Sequence, residues 1–195
     1  MNIAIVKYNA GNTQSVLYAL ERLGVEAIVT NDHEELQRAG KVIFPGVGAA
    51  SSAMRSLKET GLDKLIPQLH QPVLGICVGM QLLCAHSEEE NTPCLDIMPL
   101  EVKKFQAHMD QKVPQVGWNN IYSLSSPIFE NISNNSFIYN VHSYYVEDSE
   151  HTIALCDYGP SYAAAVRKNN FYGVQFHAEK SGAVGDKVLQ NFLEL

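Results

Sequence analysis

The sequence predicts one α/β domain over residues 1–195, with a mostly parallel central sheet, helices on both faces and an antiparallel extension in the second half. Three observations carry this reading. The first half alternates short apolar, β-branched runs with stretches of helical periodicity, the pattern of a parallel sheet covered by helices. The second half strings strand-like runs together through short turns. A length of 195 residues suits one full core and is short for two.

In chain order, Asn2–Val6, Glu26–Thr30, Lys41–Pro45 and Pro72–Ile76 read as strands buried on both faces. Between them, Asn12–Leu23 carries Val16, Leu20 and Leu23 at helical spacing, and Gly24 stops it. Ala50–Thr60 is a second helix with Met54 and Leu57 on one side, ended by Gly61. Phe137–Val146, Thr152–Asp157, Tyr162–Lys168 and Phe171–Phe176 read as further strands, and the Asn169-Asn170 turn predicts an antiparallel hairpin. A last helix places Val184, Val188, Leu189 and Phe192 on one face. No repeat, low-complexity tract or linker interrupts the chain.

Composition narrows the function classes. An apolar fraction of 46% is that of a soluble globular protein, and no apolar run approaches the ~18 residues that span a bilayer. The start lacks a secretory pattern, so the expected compartment is the cytoplasm. Net charge is −7, and no basic cluster exceeds Lys103-Lys104, which excludes nucleic acid as an expected partner. The cysteines Cys77, Cys84, Cys94 and Cys156 form neither a disulfide framework nor a metal-ligand cluster, so no metal and no cofactor is expected. Cys84 reads as a core residue of a helical stretch, Cys156 as one of a strand, and Cys94 as a loop residue.

Cys77 stands apart. In Pro72–Cys84 an apolar strand ends at Ile76 and a helical stretch opens at Val78, with Gly75 and Gly79 flanking Cys77 as G-x-C-x-G. This is a nucleophile elbow carrying a thiol. The tight turn presses backbone segments together and leaves no room for Cβ atoms beside the nucleophile. The free N–H groups and dipole of the following helix favour an anionic sulfur and leave the Val78 N–H for a developing oxyanion. The bland alternative is a buried structural cysteine in a glycine-bearing turn. A dinucleotide site is the weaker reading, since the first βα turn, Asn9–Asn12, lacks G-x-G-x-x-G and no Walker sequence occurs.

A thiol nucleophile needs a base, and His177 has the best context of the seven histidines. It ends the strand Gly173–Phe176, and Glu179 follows two residues later to hold the ring. His142, within Val141–Tyr144, competes for the role. His33, His70, His86, His108 and His151 lie in polar surroundings and read as solvated. Pro45-Gly46-Val47-Gly48 ends another buried strand with a turn that can offer backbone N–H groups to an anion, either a second oxyanion donor beside Cys77 or a phosphate cradle.

Together Pro45–Gly48, Gly75–Gln81 and Gly173–Glu179 resemble the class I (triad) glutamine amidotransferases, with matching order and spacing along the whole chain. Val113–Asn119, Tyr139–Tyr145 and Glu179–Gly182 narrow the resemblance to the amidotransferase subunits of imidazole glycerol phosphate synthase, an enzyme of histidine biosynthesis. The resemblance implies that Cys77 attacks the side-chain amide of glutamine and that His177, oriented by Glu179, relays the thiol proton to departing ammonia. A γ-glutamyl thioester is then hydrolysed. It further implies that Val47, Gly48 and Val78 bind the oxyanion and that Gln81, Glu89, His142, Ser143 and Tyr144 hold glutamine, Glu89 matching the substrate ammonium. The implied partner is a cyclase subunit that forms a heterodimer with the chain and makes imidazole glycerol phosphate and AICAR from the ammonia. Asn12, Pro114, Trp118, Asn119, Tyr139 and Lys180 are the positions expected to face it. Departures from the family pattern are Ala178 in place of a proline, Gln115 in place of a histidine near the partner surface, and a less acidic, less glycine-rich first turn, Lys7–Ala10. Other synthases of the family, or a non-catalytic thiol sensor on the same fold, are the alternatives.

Overall fold

The computed structural model describes residues 2–106 and 112–195; His108 lies outside them. The chain runs β1 (Ile3–Val6), α1 (Thr13–Arg22), β2 (Ala27–Thr30), α2 (His33–Arg38), β3 (Lys41–Gly46), α3 (Ala50–Thr60), α4 (Leu62–Leu65), β4 (Val73–Cys77), α5 (Val78–Leu83), β5 (Cys84–Ser87), β6 (Thr92–Pro93) and β7 (Met98–Lys104). It continues β8 (Gln115–Tyr122), β9 (Ser136–His142), β10 (Tyr144–Val146), β11 (Thr152–Asp157), β12 (Ser161–Lys168), β13 (Phe171–Val174) and α6 (Gly182–Glu194).

A nine-stranded sheet has the order β2-β1-β3-β4-β13-β12-β11-β8-β9. Neighbours from β2 to β13 pair in parallel, and every pairing from β13 to β9 is antiparallel. Successive residues of a strand point to opposite faces. On β13, a Cβ at Gly173 would meet Met80 of α5, while the Tyr172 ring meets Phe192 of α6 at 6.2 Å. Helices therefore cover both faces, and the fully buried Phe44, Tyr162, Phe176 and Phe192 lie among the largest core side chains.

The departures from the expected elements have physical causes. β2 is a terminal strand, so its side chains are only partly covered and Ile28 is 46% exposed. The expected strand Phe137–Val146 breaks at Ser143: β9 stays in the large sheet, whereas β10 joins β7 in a four-stranded sheet ordered β10-β7-β5-β6. Cys84 opens β5 rather than lying within a helix. The run from Val78 to Cys84 is buried throughout, so hydrophobicity gave no cue to where α5 stops.

Two helices approach backbone so closely that only glycine fits. A Cβ on Gly79 in α5 would lie 1.9 Å from Phe44 O of β3, and one on Gly185 in α6 would lie 1.8 Å from Ala178 O. Alanine at an ordinary helix interior would add about 1 kcal/mol of stability. At Gly185 the clash with backbone reverses that sign. Gly185→Ala is expected to lose about 2–4 kcal/mol, read as a lower urea midpoint at unchanged slope.

Candidate active site

β4 passes into α5 with no intervening residue, and the junction is Cys77, at φ 54° and ψ −113°. That conformation costs a non-glycine residue of order 1–3 kcal/mol and persists only where the surroundings impose it. Here they do. A Cβ on Gly46 would lie 2.5 Å from Gly79 N, and one on Gly75 would lie 2.8 Å from the Gly79 carbonyl carbon. Glycine at these positions lets α5 seat on β3 and β4, so the chain must reverse sharply at Cys77. The sulfur reaches the wall of a cavity of about 270 Å³ at the carboxyl ends of β3 and β4.

β13 pairs with β4 in register Val174↔Ile76, which delivers the following segment beside Cys77. His177 lies there, buried, and its Nδ1 is 2.8 Å from the buried Glu179 Oε1. An ionised carboxylate only accepts, so Nδ1 carries the donated hydrogen and Nε2 is left for Cys77. Burial pushes the imidazole down, but the side-chain hydrogen bonds with Cys77 and Glu179 outweigh it and raise the group to about 10. The competing histidine has the opposite environment. His142 Nδ1 meets Tyr144 O at 2.8 Å, and its Nε2 meets the Tyr162 hydroxyl at 3.3 Å. Burial, opposed by the Tyr144 bond and aided by His177, pushes His142 down to about 4. With its Nδ1 committed to Tyr144 O and burial opposing its cation, His142 fits the role of base less well than His177 does.

The cavity is lined by Cys77 and His177, by Val47, Gly48, Val78, Gln81, Glu89, His142, Ser143 and Tyr144, and by Pro114 and Val141. Glu179 stands behind His177. One expectation needs correction. The Val47 N–H donates to Ala10 O at 2.6 Å, so this donor is committed away from the sulfur. Gly48, at φ +85°, is left as the candidate donor of that turn. Sequence reading also missed what holds the turn. Tyr8 donates its hydroxyl to Pro45 O at 2.7 Å and packs its ring on Phe44, and its hydroxyl is kept protonated by burial, with Cys77 adding to the effect. The helix after the turn, α3, has Ala49 at its N-cap and no side-chain cap of its own. Glu89 supplies one from a distant segment, accepting from Ala50 N at 2.7 Å, while Glu90 accepts from Ser51 Oγ. Burial raises the Glu89 carboxyl, against the Ala50 bond and with Glu90 adding.

Beside the cavity, β8 and β9 expose an apolar face. Val116 and Trp118 pair with Val141 and Tyr139 in register, and Trp118 and Tyr139 meet edge to face at 5.7 Å. Val116 is 60%, Trp118 57% and Phe137 61% exposed. Lys180 is exposed nearby in sequence to His177, Pro114 lines the cavity, and Asn12 caps α1 by accepting from Ser15 N. Asn119 departs from its expected place. Alternation puts it on the face of β8 opposite Trp118, where its Nδ2 donates to Asp157 O at 2.7 Å. Gln115 likewise turns inward, accepting from the Tyr162 hydroxyl at 3.1 Å, so it makes no contact at the outer face.

The exposed strand is tied to the segment that carries His177 and Glu179. His177 N donates to Tyr139 O at 2.9 Å, Tyr139 N donates to Ser181 Oγ at 2.9 Å, and Ser181 Oγ donates to His177 O at 2.7 Å. Ala178, in place of the family's proline, leaves this segment in a short helical turn, Ala178–Lys180, with Ser181 N bonded to Ala178 O at 3.1 Å.

Comparison with known proteins agrees with this geometry. A family model described as glutamine amidotransferase class-I matches residues 4–195. The protein named imidazole glycerol phosphate synthase subunit HisH from Bacteroides fragilis is 54% identical over 100% of both chains, and its namesake from Bacteroides thetaiotaomicron is 56% identical over 100% of both. The one from Colwellia psychrerythraea is 44% identical over 98% of this chain and 92% of its own. Among solved structures, a glutamine amidotransferase superposes with a TM-score of 0.76 at 18% identity, covering 98% of this chain and 97% of its own. PurLQS from Thermotoga maritima superposes with a TM-score of 0.73 at 19% identity, covering 99% and 97%. These structures share the fold, and with the family model and the full-length relatives they place the chain in the class I glutamine amidotransferase family.

Proposed function

We propose that this chain is the glutaminase subunit of an imidazole glycerol phosphate synthase, and that it passes ammonia to a cyclase partner in histidine biosynthesis. The observation that carries the reading is the buried His177–Glu179 pair set against Cys77 at the wall of a small polar-edged cavity. The full-length relatives named for that synthase support the substrate and the pathway.

In this reading glutamine enters with its ammonium toward Glu89 and its side-chain amide toward Cys77. The Cys77 proton passes to His177 Nε2, and the sulfur attacks the amide carbon. The oxyanion formed is met by the Val78 N–H at the start of α5 and by Gly48 once its turn is aligned. Collapse breaks the C–N bond, His177 returns its proton to the leaving nitrogen, and ammonia departs. Water, activated by the same imidazole, cleaves the thioester to glutamate and restores the thiol. Glu179 keeps the imidazole in the useful tautomer and stabilises its cation without taking the proton.

Free ammonia would become ammonium in water and lose its nucleophilicity, so the acceptor site must adjoin this one. The exposed Val116, Trp118 and Phe137, with the half-buried Tyr139, offer an aromatic anchor for the partner, with Lys180 at the rim. Docking there would press on Tyr139, whose backbone is bonded to His177 and Ser181. That arrangement supports activation by the partner through the segment that holds His177.

Cys77→Ala is expected to abolish glutamine hydrolysis with the fold intact, and a covalent glutamine analogue should label Cys77 before Cys84, Cys94 or Cys156. Mass-spectrometric mapping that finds another cysteine labelled first would sink the assignment. His177→Asn should reduce turnover by about three to four orders of magnitude. Glu179→Gln should cost less, and His142→Asn less again; the reverse ranking in steady-state assays would make His142 the base. The isolated chain should hydrolyse glutamine poorly and gain activity with the cyclase subunit and its phosphosugar ligand. Trp118→Ala should weaken that complex about thirtyfold, measured by titration calorimetry. Full activity of the isolated chain, indifferent to partner and to Trp118→Ala, would refute the coupled-subunit reading.

A further inference from the structure

We propose that Gln175 is a further catalytic residue: its side-chain N–H donates to the Cys77 sulfur and steadies it as an anion, and Gln81 fixes the direction of that donor. The inference rests on the reading of Cys77 as the nucleophile and adds a residue to it.

The direction follows from a chain of hydrogen bonds that can be oriented in only one way. Gln81 Nε2 lies 3.1 Å from Tyr144 O, and a backbone carbonyl only accepts, so the Gln81 nitrogen must face it. The same nitrogen lies 2.9 Å from the side-chain amide of Gln175. With Gln81 as the donor, the Gln175 atom on that side must be its oxygen. Its nitrogen then faces the other way, 3.8 Å from Cys77 Sγ. An amide is polarised when its oxygen accepts, so the bond from Gln81 strengthens the N–H that Gln175 offers to sulfur. Gln175 is fully buried, and Gln81 nearly so, so water does not compete at either end.

The two protonation states of Cys77 have different partners. As a thiol it donates to Val141 O at 3.8 Å. When its proton moves to His177 Nε2, a carbonyl oxygen can no longer be a favourable neighbour. The Gln175 N–H lies ready as a donor to the anion and keeps its own hydrogen throughout. Other titratable groups facing the sulfur are Tyr8, after β1, and His177, after β13, and His177 in turn acts on His142 at the end of β9. The α5 sequence, VGMQLL, contributes no titratable side chain.

The test follows alkylation of Cys77 by iodoacetamide as a function of pH, with peptide mass spectrometry to assign the site. Gln175→Met should slow alkylation at neutral pH about tenfold, the scale of one charge-assisted hydrogen bond, and move the profile to higher pH. Gln175→Glu, nearly isosteric, should slow it at least as much, because a carboxylate replaces the donor. In complex with the cyclase subunit, kcat should fall while KM for glutamine changes little. In an isotope-labelled sample of the unaltered chain, the Gln175 side-chain amide signals should shift with the Cys77 profile. This readout stands even where a variant fails to fold. Preferential alkylation of Cys77 in the unaltered chain, with parental profiles in the folded variants or static amide signals, would overturn this inference alone. Failure of the unaltered chain to alkylate first at Cys77 would overturn the nucleophile reading and this inference with it.

Discussion

The structure turns on the contact between α5 and the backbone of β3 and β4. Gly79 sits where any Cβ would collide with Phe44 O, and Gly46 and Gly75 remove the matching obstructions from the strands. Close packing of this kind is what forces Cys77 into a conformation that a cysteine would otherwise avoid. The favourable burial of α5, whose every residue is covered, offsets the strain at one position. Once α5 is seated, the rest follows in space. The parallel register of β13 on β4 brings His177 alongside, and β3 ends in the turn that faces the same cavity.

Two histidines near one another show how partners rather than burial decide protonation. Both are buried, and burial disfavours the cation of each. His177 is held against Glu179 and Cys77, and rises; His142 is held between a carbonyl and a hydroxyl, and falls. The site thus places one imidazole suited to carrying a proton beside another suited to staying neutral. In the sequence the two compete, His177 ending a strand-like run and His142 lying within one, and only the tertiary contacts show how differently they are partnered.

Much of this was legible in the residues, and what was not has identifiable reasons. The buried strands of the first half announce themselves through β-branched runs, and the G-x-C-x-G turn carries its steric meaning in its spacing. The Asn169-Asn170 hairpin likewise appears where its turn residues predict it, as the antiparallel pairing of β12 with β13, with Asn169 at φ 54°. The small sheet of β5, β6, β7 and β10 was not legible, because its strands are short, irregular and partly continuous with buried neighbours. Nor could sequence reveal that the Val47 N–H is spent on Ala10, that Asn119 turns to Asp157, or that Glu89 caps α3. Each of these is a long-range hydrogen bond, and polar residues in turns carry no signal for which distant backbone they will meet. Gln175 was overlooked for the opposite reason. In an apolar strand it reads as an interruption, whereas a buried, fully partnered amide is a feature that the core must be built around.

The position of β9 at the end of the large sheet has a consequence for solubility. A terminal strand normally offers a row of unpaired N–H and C=O groups, a template for adding strands from other molecules. Here the outward groups of Tyr139 are taken by His177 N and Ser181 Oγ, and Val141 O receives the Cys77 thiol. The segment that carries His177 therefore acts as the cover of an otherwise sticky edge, beside a face with exposed aromatic side chains. The hydrogen bonds that position the proposed base are thus the ones that close the edge, so a change that loosens His177 also uncovers a strand prone to misassembly.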